Sequence, residues 1–326
     1  MTMDVYLIQQ IVNALSAGSL YALMAVGLAL IFGILRLINF AHGDVMMVAA
    51  YIAAFSLFAG LPLPVAIVTM IAGTVLIGLA MERIAYRPIR GGPEVAMLLT
   101  SFAVGQILQN GTLLVTRLAS QPVQIAFPTP DVLSGVVAIG AVTIPRVNVI
   151  GFGSGVIILA GVMLFLTRTR TGLSMHAAAD DLPAAQLVGI RVNWVVAAAF
   201  ALSAALASVA GLLYASQAGQ INPFLGFSPV LKAFIAAVIG GFGSISGAVV
   251  GAYALGFLEV IPTALGGIAD ILPPGAVSPE IHDLLATVFP SALGSYRDAI
   301  VFVFLILMLL FRPNGILGGR AREDTP

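Results

Sequence analysis

Long apolar stretches dominate the pattern of hydrophobic and polar positions along the chain. No Asp, Glu, Lys or Arg occurs in the ranges 5–35, 45–81, 95–116, 147–167, 192–231 and 233–258. An α-helix rises about 1.5 Å per residue, so roughly 20 apolar residues cross the hydrocarbon core of a bilayer. The pattern therefore predicts a series of membrane-spanning helices, with two spans in the longest stretches.

We place the spans near residues 11–35, 45–60, 64–81, 95–116, 147–167, 194–215, 229–242, 245–262 and 293–311. Several are short or divided by Gly and Pro, which gives eight to ten crossings, some of them broken or re-entrant. The Leu-Pro-Leu-Pro run at 61–64 predicts a hairpin turn, because proline fixes φ and has no N–H to donate. The predicted fold is all-α, a polytopic transmembrane helix bundle, with residues 1–326 as a single transmembrane domain.

Composition supports an integral membrane protein. Hydrophobic residues make up 60% of the chain and charged residues 9%, against about a quarter charged in soluble domains. The net charge is zero, so no overall field attracts nucleic acid. Cysteine is absent, which excludes disulfides, thiolate nucleophiles and Cys-based metal sites. The first apolar stretch is too long for a cleaved signal peptide and predicts a retained span.

Arginines fall in three groups between the spans, which are Arg83, Arg87 and Arg90, then Arg168, Arg170 and Arg191, then Arg312, Arg320 and Arg322. Cytoplasmic loops of membrane proteins carry an excess of Lys and Arg. The rule places all three groups in the cytoplasm. The segments 117–146 and 263–292 then face outside, as does the N-terminus if 11–35 crosses once.

The segment 168–193, between two spans, has the features of a docking helix. Asp181 can cap a helix over 182–188, Pro183 is tolerated in its first turn, and Gly189 supplies a left-handed stop. A two-turn helix is not stable alone, so we expect it to dock onto another protein. A plain charged linker is the alternative.

Four polar or aromatic residues, Asn39, Phe40, His42 and Asp44, interrupt an otherwise apolar region. Unpaired polar groups are costly in a membrane, so these side chains face protein, water or a permeating solute. Three readings stay open: a cytoplasmic turn in which Asp44 caps the next helix, a capped break inside the bilayer, or a direct part in the translocation pathway. One His with one carboxylate is too few ligands for a metal site.

A second break at 240–247 contains the candidate pathway residues Gly241, Gly243, Ser244 and Ser246. Broken helices at membrane depth occur where their backbone lines a cavity or is covered by protein, and their N-terminal ends attract anionic groups. Both breaks are therefore candidate elements of a pathway.

Other intramembrane polar residues have two readings each. Gln106, Gln109 and Asn110 lie on nearby faces of the fourth span, where helix packing is the default and a solute-facing role is the alternative. Glu259 could carry protons in a secondary transporter or hold the structure together.

Catalytic motifs are absent from the sequence. It has no GxxxxGK[ST] phosphate loop, no HExxH motif and no recognisable Ser/His/Asp set. We therefore expect no enzymatic activity and no cofactor.

Five sequence blocks resemble one family over nearly the whole length: GLALIFGILRLINFAHGDVMM at 27–47, ERIAYRPIR at 82–90, AADDLPAAQLVGI at 178–190, KAFIAAVIGGFGSISGAVVGA at 232–252 and YRDAIVFVFLILMLLFRPNGILG at 296–318. They are similar to the permease family of branched-chain amino acid ABC importers, specifically the H-type (Liv-type) membrane subunit. The resemblance implies that the central cytoplasmic segment couples to the ATPase through Asp180, Asp181, Ala184, Ala185 and Gly189.

The resemblance also implies a multi-pass protein of the bacterial inner membrane. Its partners would be a homologous M-type permease or a second copy, two ATP-binding cassette subunits and a periplasmic solute-binding protein. The solute would be a branched-chain or other small hydrophobic amino acid, with urea or short amides as alternative ABC substrates. An ion-coupled secondary transporter or channel is the rival function.

Overall fold

The computed structural model describes residues 3–140, 142–266, 268, 272 and 278–317. Most of these residues are helical. The helices are α1 (Met3–Leu35), α2 (Ala41–Phe58), α3 (Leu63–Ala80), α4 (Glu94–Leu118), α5 (Arg146–Arg168), α6 (Arg170–Asp180), α7 (Leu182–Leu187), α8 (Val192–Ala218), α9 (Phe227–Gly240), α10 (Ile245–Leu265), α11 (Pro279–Val288) and α12 (Arg297–Phe311). A π-helix, Met81–Tyr86, extends α3, and a 3₁₀-helix, Ser291–Tyr296, precedes α12.

Eight of the described helices are long and apolar enough to cross a membrane. They are α1, α2, α3 with its π-helical extension, α4, α5, α8, α10 and the run Pro279–Phe311, which consists of α11, the 3₁₀-helix and α12 with a short break at Phe289 and Pro290. The all-α fold class is confirmed. The predicted span at 229–242 is wrong as a full crossing, because α9 has 14 residues and reaches only about 21 Å.

Two short antiparallel pairs of strands were not predicted. β1 (Ile125–Ala126) pairs with β4 (Gln220–Ile221). β2 (Val136–Ile139) pairs with β3 (Val142–Pro145). The first pair joins the segments that follow α4 and α8, so it ties distant parts of the chain together at one end of the bundle.

The core of the bundle is built around α1, which packs against α10, α8, α5 and α9. Small residues permit the close approach: Gly18 of α1 lies against Tyr253 of α10, and Gly256 of α10 lies against the α1 backbone at Ala14. Water does not drive helices together in lipid, so van der Waals packing at small residues contributes much of the association.

The described members of the three arginine groups lie at one end of the bundle, which we call the basic end, whereas Arg117, Arg146 and Arg297 lie toward the other end. Arg90 Nη1 donates to Asn193 Oδ1 at 2.8 Å, which joins the loop after α3 to the start of α8. The Ile316 N–H donates to the Ile239 carbonyl at 2.9 Å, so the segment after α12 lies beside the C-terminal end of α9, at the same end of the bundle. Arg320 and Arg322 lie outside the described residues.

The start of α1 lies at the opposite end, which we call the outer end. There the Tyr6 hydroxyl donates to the Ala264 carbonyl at 2.9 Å, and Gln9 Nε2 donates to the Thr143 carbonyl at 2.7 Å. This arrangement agrees with an N-terminus on the side opposite the basic end.

Candidate translocation site and coupling segment

The break between α1 and α2 turns back into the bundle. His42 Nδ1 lies 3.2 Å from Ser203 Oγ, which donates to the Gly27 carbonyl at 2.9 Å. Gly27 lies about two turns before the end of α1 and Ser203 about three turns after the start of α8, so His42 lies roughly 12–16 Å inside the basic end. This depth is about half the thickness of a ~30 Å hydrocarbon core, so the break is not a turn at the membrane surface.

Each buried polar side chain of this break has at least one protein partner, although the buried Nε2 atom of His42 has none among the described residues. The Tyr86 hydroxyl donates to Asn39 Oδ1 at 2.7 Å, and Gln109 Nε2 donates to Asp44 Oδ1 at 2.8 Å. Asp44 does not cap α2, whose first turn has no side-chain cap. The capping interpretation of Asp44 is therefore wrong, and its partner lies on α4 instead.

The first turns of α2 and α9 meet at this depth. A Cβ added to Gly43 would lie 2.9 Å from the Gly226 carbonyl carbon and 2.8 Å from Val230 Cβ, closer than real Cβ atoms come. Only glycine fits at this crossing. Two helix N-termini, each with partial positive charge, therefore begin side by side within the bundle.

A small cavity of ≈ 80 Å³ lies beside the two N-termini. It is lined by Phe40, Asp44, Ser101, Phe102, Gly105, Gln106, Gln109, Gly226, Phe227 and Val230. Phe102, Gln106 and Phe227 are exposed, so the cavity opens on the surface of the chain. The sequence singled out Gln106 and Gln109 only as part of a polar stripe, and no local signal pointed to Gly226.

Exposed amides lie at the middle of α4. Gln106, twelve residues from either end of the helix, and Asn110 both face away from the bundle. Polar side chains at this depth are costly against lipid, so such residues face protein or a water-filled space. This face of α4 is therefore poorly suited to contact lipid.

The second break lies elsewhere, at the basic end. Gly241 and Gly243 have φ of 108° and 87°, which L side chains rarely adopt, and Ser244 Oγ accepts from the Gly247 N–H at 3.0 Å. A cavity of ≈ 230 Å³ separates this turn from α6, and Gly243, Ser244 and Ser246 line it together with Met175, His176 and Ala179 of α6. The structure therefore does not bring the two breaks together; α9 runs between them.

The segment 168–193 contains the predicted short helix. Asp181 Oδ1 accepts from the Ala184 N–H at 2.9 Å at the start of α7, and Gly189 has φ of 86°. The cap, the helix and the left-handed stop are all confirmed. The preceding helix α6 was not predicted.

The faces of α7 differ sharply in exposure. Of the five residues predicted to couple, Asp180, Asp181, Ala184 and Gly189 are exposed, whereas Ala185 is 3% exposed and packs into the core. Leu187 is 90% exposed and Val188 is 78% exposed. An apolar tip of this kind has no packing partner among the described residues of the chain itself.

Glu259 belongs to an ion-pair network toward the outer end. Its carboxylate contacts Lys232 Nζ, accepts from the Tyr21 hydroxyl at 2.6 Å and lies 3.7 Å from Arg297 Nε. The network joins α1, α9, α10 and α12. A carboxylate held by two cations and a hydroxyl fits a structural role better than that of a proton carrier.

A family sequence model described as "Branched-chain amino acid transport system / permease component" matches residues 10–311. The chain belongs to this family. It is thus a multi-pass membrane protein with a helical permease fold, as the eight span-length helices indicate.

Individual relatives agree with the family. The chain is 37% identical to the high-affinity branched-chain amino acid transport system permease protein BraD of Pseudomonas aeruginosa, over 95% of each chain. It is 32% identical to the corresponding protein LivH of Escherichia coli strain K12, over 96% of each chain. It is 30% identical to the autoinducer 2 import system permease protein LsrC of Escherichia coli O9:H4, over 79% of this chain and 72% of LsrC.

Proposed function

We propose that this chain is an inner-membrane permease subunit of an ABC importer for branched-chain or other small hydrophobic amino acids. Family membership and the names of BraD and LivH support this function. The partners would be two ATPase subunits, a periplasmic binding protein, and an M-type permease or a second copy of this chain. The name of LsrC shows that a more distant relative serves another solute.

The observation that carries the proposal is the tip of α7. Leu187 and Val188 are exposed apolar side chains on a capped six-residue helix at the basic end. Ala185 holds this short helix against the core, but nothing in the described chain covers its apolar tip, and a separate ATPase subunit would cover these side chains. Asp180, Asp181, Ala184 and Gly189 would surround the contact, while Ala185 would hold α7 against the core.

Movement of α7 would reach the pathway through α6 and α9. The turn with Gly241, Gly243, Ser244 and Ser246 lies across a cavity from α6 and leads into α10. At its other end, α9 begins beside Gly43 of α2, next to Asp44. In alternating access, ATP binding at the basic end would thus change the packing around the mid-depth break with Asn39, Phe40, His42 and Asp44.

The test is Leu187→Asp in the complete transporter. We expect at least a tenfold loss of uptake and of ATPase association, because a charged side chain would replace the apolar contact. Leu118→Asp is the matched control, since Leu118 is 78% exposed at the end of α4 remote from the basic end. Co-purification of the ATPase and uptake into vesicles are the measurements.

Normal ATPase association in Leu187→Asp would contradict the assignment of α7. Wild-type uptake that follows a proton gradient and ignores ATP would contradict the ABC importer itself. The ion pairs of Glu259 leave no free carboxylate at that position for proton coupling.

A further inference from the structure

Asp44 is a buried carboxylate without a counter-charge in the part of the chain that the structure describes. It is 7% exposed, and its one hydrogen-bond donor is the neutral amide of Gln109. No ion pair among the described residues includes it. The other two carboxylates that are buried among the described residues, Glu82 and Glu259, each contact two cationic side chains.

The surroundings of Asp44 suit an organic cation. The Phe40 ring stacks on the Phe102 ring with centroids 5.1 Å apart, and both rings line the cavity next to the carboxylate. Aromatic faces attract cations, and the Gln106 amide oxygen can accept a hydrogen bond from an N–H group. A metal ion is a poor fit, because no group of three or more His, Asp or Glu that could hold one occurs within the described ranges.

We propose that Asp44 and the adjoining cavity bind the α-ammonium group of the amino acid as it crosses the membrane. The inference rests on the proposed function and names which group of that solute binds, and where. Among the described residues Asp44 has only the partial positive charge of the two helix N-termini nearby. A primary ammonium supplies a full counter-charge, and it donates to carboxylate and amide oxygens. The cavity is small and open beside Gln106, so the rest of the solute extends toward the exposed face, where the second permease completes the site.

The first experiment measures binding to the purified complex of permeases and ATPases without the binding protein, whose own amino-acid site would obscure the result. The first probe is isoamylamine, which has an ammonium group and no carboxylate. The second is 4-methylpentanoate, which has a carboxylate and no ammonium group. We expect isoamylamine to give a saturation-transfer NMR signal with the wild-type complex. With the Asp44→Asn complex, that signal should be at least fivefold weaker. The signal of 4-methylpentanoate should stay unchanged.

Asparagine keeps one oxygen that can accept from Gln109, replaces the other oxygen with an NH₂ group and removes the charge. Equal isoamylamine signals in wild type and Asp44→Asn, or no signal in either, would overturn the proposal. Asp298→Asn is the matched control, because it removes an exposed carboxylate near the outer end and should leave the isoamylamine signal at the wild-type level.

The second experiment separates solute passage from folding. In Asp44→Asn we expect amino-acid uptake to fall at least tenfold, while binding-protein-stimulated ATP hydrolysis stays within twofold of wild type. Asp44→Glu, which keeps the charge, should retain more uptake than Asp44→Asn. Equal losses of uptake and hydrolysis would indicate a structural role and overturn the proposal, as would unchanged uptake.

The two proposals fail in different ways. If Asp44→Asn takes up amino acids normally and uptake still requires ATP, only the ammonium site is refuted. If wild-type uptake does not require ATP, the importer function is refuted whatever the variant does.

Discussion

Gly43 and Asp44 are neighbours in α2 with opposite requirements. Position 43 has no room for a side chain, because the backbone of Gly226 lies against it. Asp44 needs partners, because a buried carboxylate is costly without them. Both requirements arise where the first turns of α2 and α9 meet, so the position of each residue depends on the other helix.

Gly43→Ala should destabilise the protein by about 1–3 kcal/mol, the usual cost of overpacking a tight interior contact. The added methyl group would displace the start of α9. The melting temperature of the purified permease measures the effect. Gly161→Ala on α5 is the control: nothing lies within 4 Å of a Cβ there, so its melting temperature should stay the same or rise. Equal melting temperatures for both variants would show that the Gly43–Gly226 contact is not tight.

At the scale of elements, α9 departs from its prediction as a full membrane span. It is too short to cross the membrane, begins beside α2 and ends at the turn that faces α6. Lys232 on α9 pairs with Glu259 on α10, and Arg297 and Asp298 of α12 add to the same network. Ion pairs and glycine contacts thus hold the short helix between two full spans.

Glu259→Gln should destabilise the bundle by about 3 kcal/mol, because it leaves the half-buried Lys232 with only the exposed Asp298 as a partner. The double variant Lys232→Met with Glu259→Gln should regain most of that stability, since it removes the uncompensated charge. The measurement is the unfolding free energy in detergent of four proteins: the wild type, the two single variants and the double variant. Together they form a double-mutant cycle that gives the coupling energy of the pair. Additive losses would show that the pair contributes nothing.

At the scale of the whole molecule, one face is unsuited to lipid. The exposed amides Gln106 and Asn110 lie at mid-depth on α4, and the Asp44 cavity opens beside them. The face of α5 is different, with exposed apolar residues such as Ile157 and Leu164. The α4 face is therefore the one that we expect to border a pathway shared with a second permease.

The chain has no cysteine, so single cysteines can report on that face. In vesicles with the complete transporter, Gln106→Cys should react with a water-soluble maleimide at least tenfold faster than Ile157→Cys. A non-hydrolysable ATP analogue should change the rate at Gln106, because alternating access changes the exposure of the pathway. Equal rates at the two positions would place both in lipid and refute the assignment of the α4 face.

The coarse fold was predictable because its signals are local. Uncharged stretches of sufficient length mark the spans, prolines mark the turn before α3, and Asp181 and Gly189 mark the limits of α7. Each signal depends on residues within a few turns of one another, where composition and backbone preference decide the outcome.

The sequence by itself thus determined that the protein is a helical membrane permease with a short capped helix between two spans. Only the tertiary structure decided that the first break lies at mid-depth and the second at the basic end, that Ala185 faces inward, and that Asp44 bonds Gln109. These features depend on contacts between residues far apart in the chain, such as Asp44 and Gln109, which are separated by 65 positions. Helix periodicity shows which residues share a face, but the packing of other helices decides what that face touches.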